Sequence, residues 1–197
     1  MSRRDFFDQQ AANWGRGRPS DLAERLARVV EITAVSSGQH VLDVGSGTGV
    51  LVPHLLQAVG PSGLIVAVDF AIKMLMESKA QDFGPRPHLV QASVAALPFS
   101  AGRYDVVTCN AAFPHFPDRR RALAEMARVL HPGGRLAISH PIGRAAVEAI
   151  HRATGGPVEH DALPDAETMR ALLADAGLRV VTLIDEPEFF VVVADRS

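Results

Sequence analysis

The sequence predicts an α/β fold: a doubly wound, seven-stranded sheet, mostly parallel, with an antiparallel last strand and helices on both faces. Three observations lead there. From residue 20 onward, short apolar runs alternate with helical patterns. The resulting β-then-α units require right-handed crossovers and a parallel sheet covered on both sides. A glycine-rich turn directly follows the first apolar run, as at the ligand-binding edge of open α/β sheets. The chain ends in two β-rich runs joined only by Asp185-Glu186-Pro187. A link that short permits only antiparallel pairing.

The elements follow in order. Ser20 reads as a helix N-cap after Pro19, with Leu22, Leu26, Val29 and Val30 at helical spacing behind it. His40 to Val44 is a short buried strand. A helix runs from Thr48 to Ala58, its first turns made irregular by Pro53. Gly60-Pro61-Ser62-Gly63 is a loop. Leu64 to Val68 is the second strand and Ala71 to Gln81 the next helix. Pro85 and Pro87 break the chain before the third strand, His88 to Gln91. Tyr104 to Cys109 is the fourth strand, and Asp118 to Leu130 a helix with Leu123, Met126, Ala127 and Leu130 on one face. Pro132-Gly133-Gly134 turns into the fifth strand, Arg135 to Ser139. After Pro141 the pattern lapses, marking residues 142–164 as a substrate-side insert. Pro164-Asp165 opens a helix that Gly177 closes, and the strands Leu178 to Ile184 and Phe189 to Ala194 complete the chain.

Composition narrows the function classes. The 197 residues suit one domain, 1–197, with a substantial core. Within it, 1–35 read as an N-terminal lid and first helix, 36–141 as a binding core, and 165–197 as the closing helix and strands. A formal net charge of −2 leaves no electrostatic footprint for DNA or RNA. The basic run Arg119-Arg120-Arg121 opens a helix and reads as a solvated face. Cys109 is the single cysteine, which excludes an internal disulfide and fits a reducing compartment. The first residues lack the apolar stretch of a signal peptide. No apolar run approaches the roughly 18 residues needed to span a bilayer. The expectation is a soluble, cytoplasmic protein with no membrane span, no nucleic-acid partner and a small-molecule ligand; the sequence sets no oligomeric state.

The strongest local signal is Asp43-Val44-Gly45-Ser46-Gly47-Thr48-Gly49 at the end of the first strand. Glycines there let the backbone turn sharply and let a ligand lie against the main chain. The dinucleotide fingerprint would need glycine where Val50 stands, and no Lys-Ser/Thr pair makes a phosphate loop. Twenty positions past Gly49, Asp69 ends the second strand. A carboxylate in that place can accept both ribose hydroxyls of an adenosine; the plainer alternative is a turn or helix-capping residue.

The run Val41 to Gly49 resembles motif I of the class I S-adenosylmethionine-dependent methyltransferases. Val68-Asp69-Phe70, Ala96-Leu97-Pro98-Phe99, Tyr104-Asp105-Val106-Val107 and Arg128 to Gly134 match further motifs in order. Their spacing is similar to that of the small ubiquinone/menaquinone-type branch, and Phe6-Phe7-Asp8 with Ala12 and Trp14 resembles its lid helix. The resemblance covers roughly residues 5 to 141. It implies a Rossmann-like fold and S-adenosylmethionine as cofactor. Position by position, it implies that Gly45, Ser46 and Gly47 flank the methionine portion and Asp69 holds the ribose. Phe70 and Met74 would pack on the adenine, Ser93 and Val94 face its edge, and Asn110 close the pocket. Asp43 would orient the loop or receive the ammonium group. One departure matters: many relatives have Gly-Asp where this chain has Ala92-Ser93. A neutral hydrogen bond contributes about 1 kcal/mol against roughly 1.5–3 for a charged acceptor, so cofactor binding should be several-fold weaker.

Methyl transfer is an in-line displacement, helped mainly by holding the reacting atoms close and collinear. A general base is needed only where the nucleophile carries a proton. His115, after the fourth strand, and His140, at the end of the fifth, are the candidate catalytic residues; the alternative for each is a polar loop or capping residue. The insert adds His151, His160 and Asp161. Convergence of His115, His140 and His151 would make a divalent-metal site. No pair has a recognised ligand spacing, so scattered, exposed histidines are the preferred reading and a metal stays unassigned. His40, His54, His88 and His131 read as structural, and Cys109 as a small core thiol. Phe113, Phe116 and Trp14 can line an apolar pocket or belong to the core. The sequence thus points to a methyltransferase acting on a small molecule. The alternative is a non-catalytic S-adenosylmethionine-binding or scaffold protein of the same fold; a nicotinamide-dependent oxidoreductase is disfavoured by Val50.

Overall fold

The computed structural model describes residues 1–15, 19–84 and 86–197; Pro85, one of the two chain-breaking prolines, lies outside them. Seven strands form one sheet in the order β3-β2-β1-β4-β5-β7-β6. They are β1 (His40–Val44), β2 (Leu64–Asp69), β3 (His88–Gln91), β4 (Tyr104–Asn110), β5 (Leu130–His140), β6 (Leu178–Glu186) and β7 (Phe189–Arg196). The pairs from β3 through β5 are parallel, and β7 runs antiparallel to both β5 and β6. The helices are α1 (Arg3–Gln10), α2 (Leu22–Thr33), α3 (Val52–Val59), α4 (Ile72–Ala80), α5 (Arg119–Val129), α6 (Arg144–Thr154) and α7 (Ala166–Asp175).

The sheet is apolar on both faces, as a parallel sheet between helices must be. Alternation along β7 shows it: Phe189, Val191 and Val193 join Leu26, Val29, Leu51 and Leu55 from the α2–α3 side. Phe190, Val192 and Ala194 join Leu123, Met126, Met169 and Leu173 from the α5–α7 side. A third, smaller cluster seats α1 by Phe6, Phe7 and Ala11 against Ala71, Met74 and Val158. Among the described residues, no helix is long and apolar enough to cross a membrane.

Four sequence expectations need correction. The N-cap of α2 is Asp21, not Ser20, and Asp21 spends its carboxylate on Arg25 at 2.8 Å rather than on a backbone amide. The helix after the glycine turn begins at Val52, not Thr48, because Gly47 and Gly49 hold φ of +55° and +81°, outside the right-handed helical region. Strand β5 starts at Leu130, which pairs with Tyr104 before a register shift absorbs the Pro132-Gly133-Gly134 turn. Residues 142–164 are not patternless: α6 occupies half of them and buries Val147 and His151 one turn apart. By contrast, α7 starts where expected, with the Asp165 carboxylate accepting from the Thr168 amide at 2.8 Å.

Candidate active site

A cavity of about 250 Å³ opens at the carboxyl ends of β1, β2 and β4, under α1. Strand order reverses between β1 and β4, and the splayed connections leave a crevice there. Its floor is the glycine turn. The Gly45 and Ser46 amides both donate to the Val68 carbonyl, at 2.8 and 3.0 Å, fastening the turn to β2. Gly45 holds φ +69°, and a Cβ there would sit 2.4 Å from the Ala112 Cβ. Only glycine fits where the segment after β4 crosses so closely.

The structure brings Gly45, Ser46, Gly47, Asp69, Phe70, Met74, Ser93, Val94 and Asn110 together in the walls of this cavity. Asp69 closes the turn from β2: one oxygen accepts from the Gly47 amide and the other from the Ala71 amide, both at 2.9 Å. Burial raises its pKa against the pull of these amides. Asn110 accepts from the Ser139 hydroxyl at 3.0 Å. The buried Ser46 hydroxyl has no protein partner. Ala111, next to Asn110, holds φ +54°, an L-residue in the left-handed region at the cavity wall. Asp43 does not reach the wall. It is buried behind the turn, accepts from Thr108 Oγ1 at 2.8 Å, and has its pKa pushed up by burial to about 7.

The histidines depart furthest from expectation. His115 lines the cavity, while His140 and His151 are buried beside it rather than scattered on the surface. Asp161 sits at the centre. Its carboxylate lies 2.7 Å from His115 Nδ1 and takes both arms of the Arg3 guanidinium, at 2.5 and 2.7 Å. Burial works to raise the Asp161 pKa, but His115 and Arg3 outweigh it and hold the carboxyl at about 2. The carboxylate is therefore ionised, so His115 Nδ1 carries the proton and donates it, and Nε2 is the basic nitrogen. Burial lowers the His115 pKa, with His151 and Arg3 adding to that and Asp161 opposing it. The His151 ring lies 4.7 Å from that of His115 and its Nδ1 is 2.6 Å from the Asp161 backbone carbonyl. His140 has an unpartnered Nδ1, and burial beside the other two rings takes its pKa down to about 3. The convergence makes no metal centre: among the described residues no group of three His, Cys, Asp or Glu side chains can hold an ion. Asp161 has taken the Nδ1 atoms of both His115 and His151.

Other expectations divide. Phe116 and Trp14 wall the cavity, whereas Phe113 is fully buried in the core. Cys109 is buried and burial pushes its thiol pKa up, so it is inert. His160 is exposed. Of the basic run, Arg119 is not simply solvated: it donates to the Ala162 carbonyl at 2.6 Å, and Arg121 donates to Ala95 at 2.7 Å. Arg3 carried no signal in the sequence, since a cation in a polar first turn reads as surface.

Comparison with known proteins decides the family. A Methyltransferase domain model matches residues 42–138. The chain is 31% identical over 175 residues to a ubiquinone/menaquinone biosynthesis C-methyltransferase of Hahella chejuensis, covering 76% of this chain and 70% of that one. The chain belongs to the class I S-adenosylmethionine-dependent methyltransferases. A demethylmenaquinone methyltransferase of Thermus thermophilus is 32% identical over 177 residues, covering 78% of this chain and 80% of the relative. The fold of the methyltransferase matches a solved S-adenosylmethionine-dependent methyltransferase from Aquifex aeolicus with TM-score 0.77 at 23% identity, covering 100% of both chains. S-adenosylmethionine is its cofactor, and the site fits one: a glycine turn bare of side chains along the cavity floor, a buried hydroxyl without a protein partner, and a strand-end carboxylate with lone pairs to spare.

Proposed function

We propose that this methyltransferase moves a methyl group onto a ring carbon of a small, apolar, quinol-like acceptor, with His115 as the general base. One observation carries the reading: an imidazole held neutral, with Nε2 as its basic atom, lines an apolar cavity that it shares with the cofactor turn. The two named relatives, which methylate quinone precursors by their names, favour the same acceptor class.

On this reading, Gly45, Ser46 and Gly47 hold the methionine portion of the cofactor. Asp69 commits one lone pair per oxygen to the protein and offers the others to ribose hydroxyls. Phe70 and Met74 pack on the adenine, Ser93 and Val94 meet its edge, and Asn110 closes the pocket. Asp43 steadies the turn from behind through Thr108. Bound S-adenosylmethionine supplies a methyl carbon already activated on a sulfonium. His115 Nε2 removes the acceptor's O–H proton, which raises electron density at the conjugated ring carbon that forms the new bond. As the new bond forms the methyl–sulfur bond would break, leaving neutral S-adenosylhomocysteine; the ring carbon's hydrogen would then leave as a proton to water, and the oxygen would take its proton back from His115 Nε2. His140 lies behind the cavity wall, and we assign it no contact with the acceptor.

The test is methyl transfer from radiolabelled S-adenosylmethionine to chemically reduced demethylmenaquinone. Label should appear in the extracted quinone. Protein that binds S-adenosylhomocysteine by calorimetry yet transfers no label to the quinol would overturn the acceptor assignment.

A further inference from the structure

We propose that Arg3, Asp161 and His115 form a relay by which closure of α1 over the cavity sets His115 in its working tautomer. The inference rests on His115 as the base and adds two positioning residues to it.

A neutral imidazole has two tautomers, and only the Nδ1–H form leaves Nε2 free to accept a proton. Asp161 selects that form, because its ionised oxygen 2.7 Å from Nδ1 demands a donor. The same oxygen accepts one arm of Arg3, and the second carboxylate oxygen accepts the other. Such a two-armed guanidinium pair fixes direction as well as distance. Asp161 is thus aimed by a residue 158 positions away, on a helix that gives Arg3 and Phe7 to the cavity lining.

Helix α1 has the makings of a movable cover. Three small contacts seat it: the Phe6, Phe7 and Ala11 cluster, a hydrogen bond from the Lys73 amide to Asp8 at 2.8 Å, and the Arg3 fork. Phe7 also sets its ring 5.0 Å from that of His115. Arg3 stands where the cavity meets an open groove bordered by Pro117, Asp118 and Arg119. Lifting α1 would therefore expose the imidazole to water and free the Asp161 carboxylate together. The charged and titratable groups facing His115 are Arg3 from α1, His151 from α6, His140 from β5, and Asp161 itself, with Arg119 from α5 facing Asp161 and Arg3.

The relay makes predictions that a direct charge effect does not. Asp161→Asn removes the charge that favours imidazolium, so the His115 titration moves to lower pH and the Nδ1–H tautomer loses its dominance. Arg3→Gln loosens the aim of Asp161, so it too costs the Nδ1–H tautomer its dominance, which the loss of a repelling cation alone would not do. Arg3→Gln and Asp161→Asn should both raise hydrogen exchange of the α1 amides by about tenfold or more, the scale of a lost charge-assisted hydrogen bond; His115→Gln should not match them. Nitrogen-15 NMR of the imidazoles and exchange mass spectrometry, both on protein loaded with S-adenosylhomocysteine, read these effects without an acceptor. Unchanged α1 protection, or an undiminished Nδ1–H tautomer, in Arg3→Gln would overturn the relay. If His115→Gln keeps full turnover on reduced demethylmenaquinone, the base assignment fails separately. If it is inactive while the other two variants behave as wild type, the base stands and the relay falls.

Discussion

A buried imidazole works as a base only where the charge it acquires will be held. At His115 that charge would sit 2.7 Å from an ionised carboxylate, while burial keeps the resting ring neutral. His115→Gln should lower turnover by about 10²–10⁴-fold, the usual contribution of a positioned base, with the dissociation constant for S-adenosylhomocysteine unchanged within a few-fold. The acidic limb of the pH–rate profile should fall below the ordinary histidine value of 6.5. Two buried carboxyls titrate with opposite consequences for stability. Asp161, held at about 2 against an ordinary 3.8, contributes fully above pH 3.8 and loses that contribution as pH falls toward 2. Asp43, raised to about 7, stays protonated in the fold while the unfolded chain ionises near 3.8, so it weakens the fold progressively as pH rises from about 4 to 7. Asp43→Asn should therefore raise the melting temperature at pH 8 and flatten that decline, while loosening cofactor binding. Melting curves across pH and calorimetric titrations check both.

At the scale of elements, the glycine turn is the least replaceable piece. Gly45→Ala forces a left-handed backbone on an L-residue and drives its Cβ into Ala112. The two faults together should cost about 2 kcal/mol or more. The expected result is a melting temperature several degrees lower that S-adenosylhomocysteine no longer raises. This turn was legible in the sequence because its constraint is local, and so were the strands, whose β-branched runs such as Ile65-Val66-Ala67-Val68 admit few other readings. Helix α6 was not. Pro141 and Gly143 before it and Gly155-Gly156-Pro157 after it read as loop. Its pattern is also unusual: Ile150 is 52% exposed while His151 is buried, so a polar residue fills a core position. The start of α3 was missed because positive φ at Gly47 and Gly49 is invisible to helical periodicity.

At the scale of the whole molecule, sheet order decides what meets. Reversal between β1 and β4 opens the crevice, α1 lies over it, and Asp161 from the 142–164 segment reaches Arg3 and His115 at its wall. Two of the sequence motifs, the glycine turn after β1 and Val68-Asp69-Phe70 at the end of β2, supply cavity walls because each sits at the carboxyl end of a strand. The Arg3–Asp161–His115 grouping was not, because its members are 158 and 46 positions apart and no periodicity links them. A ligand that bridges these distant segments stabilises the fold as a unit. S-adenosylhomocysteine at a hundredfold excess over its dissociation constant should add about 2.7 kcal/mol, raising the melting temperature by roughly 5–10 °C. NAD at the same concentration should leave it unchanged, and a rise with NAD alone would contradict the cofactor. Trp14 is the chain's one tryptophan, and it stands in the cavity wall with its ring 5.4 Å from that of Phe7. Indole emission therefore comes from one address, at the seam between cover and crevice. Loading, shutting and discharge each alter the polarity there, so rapid-mixing fluorescence can time the steps of a catalytic cycle with no attached dye.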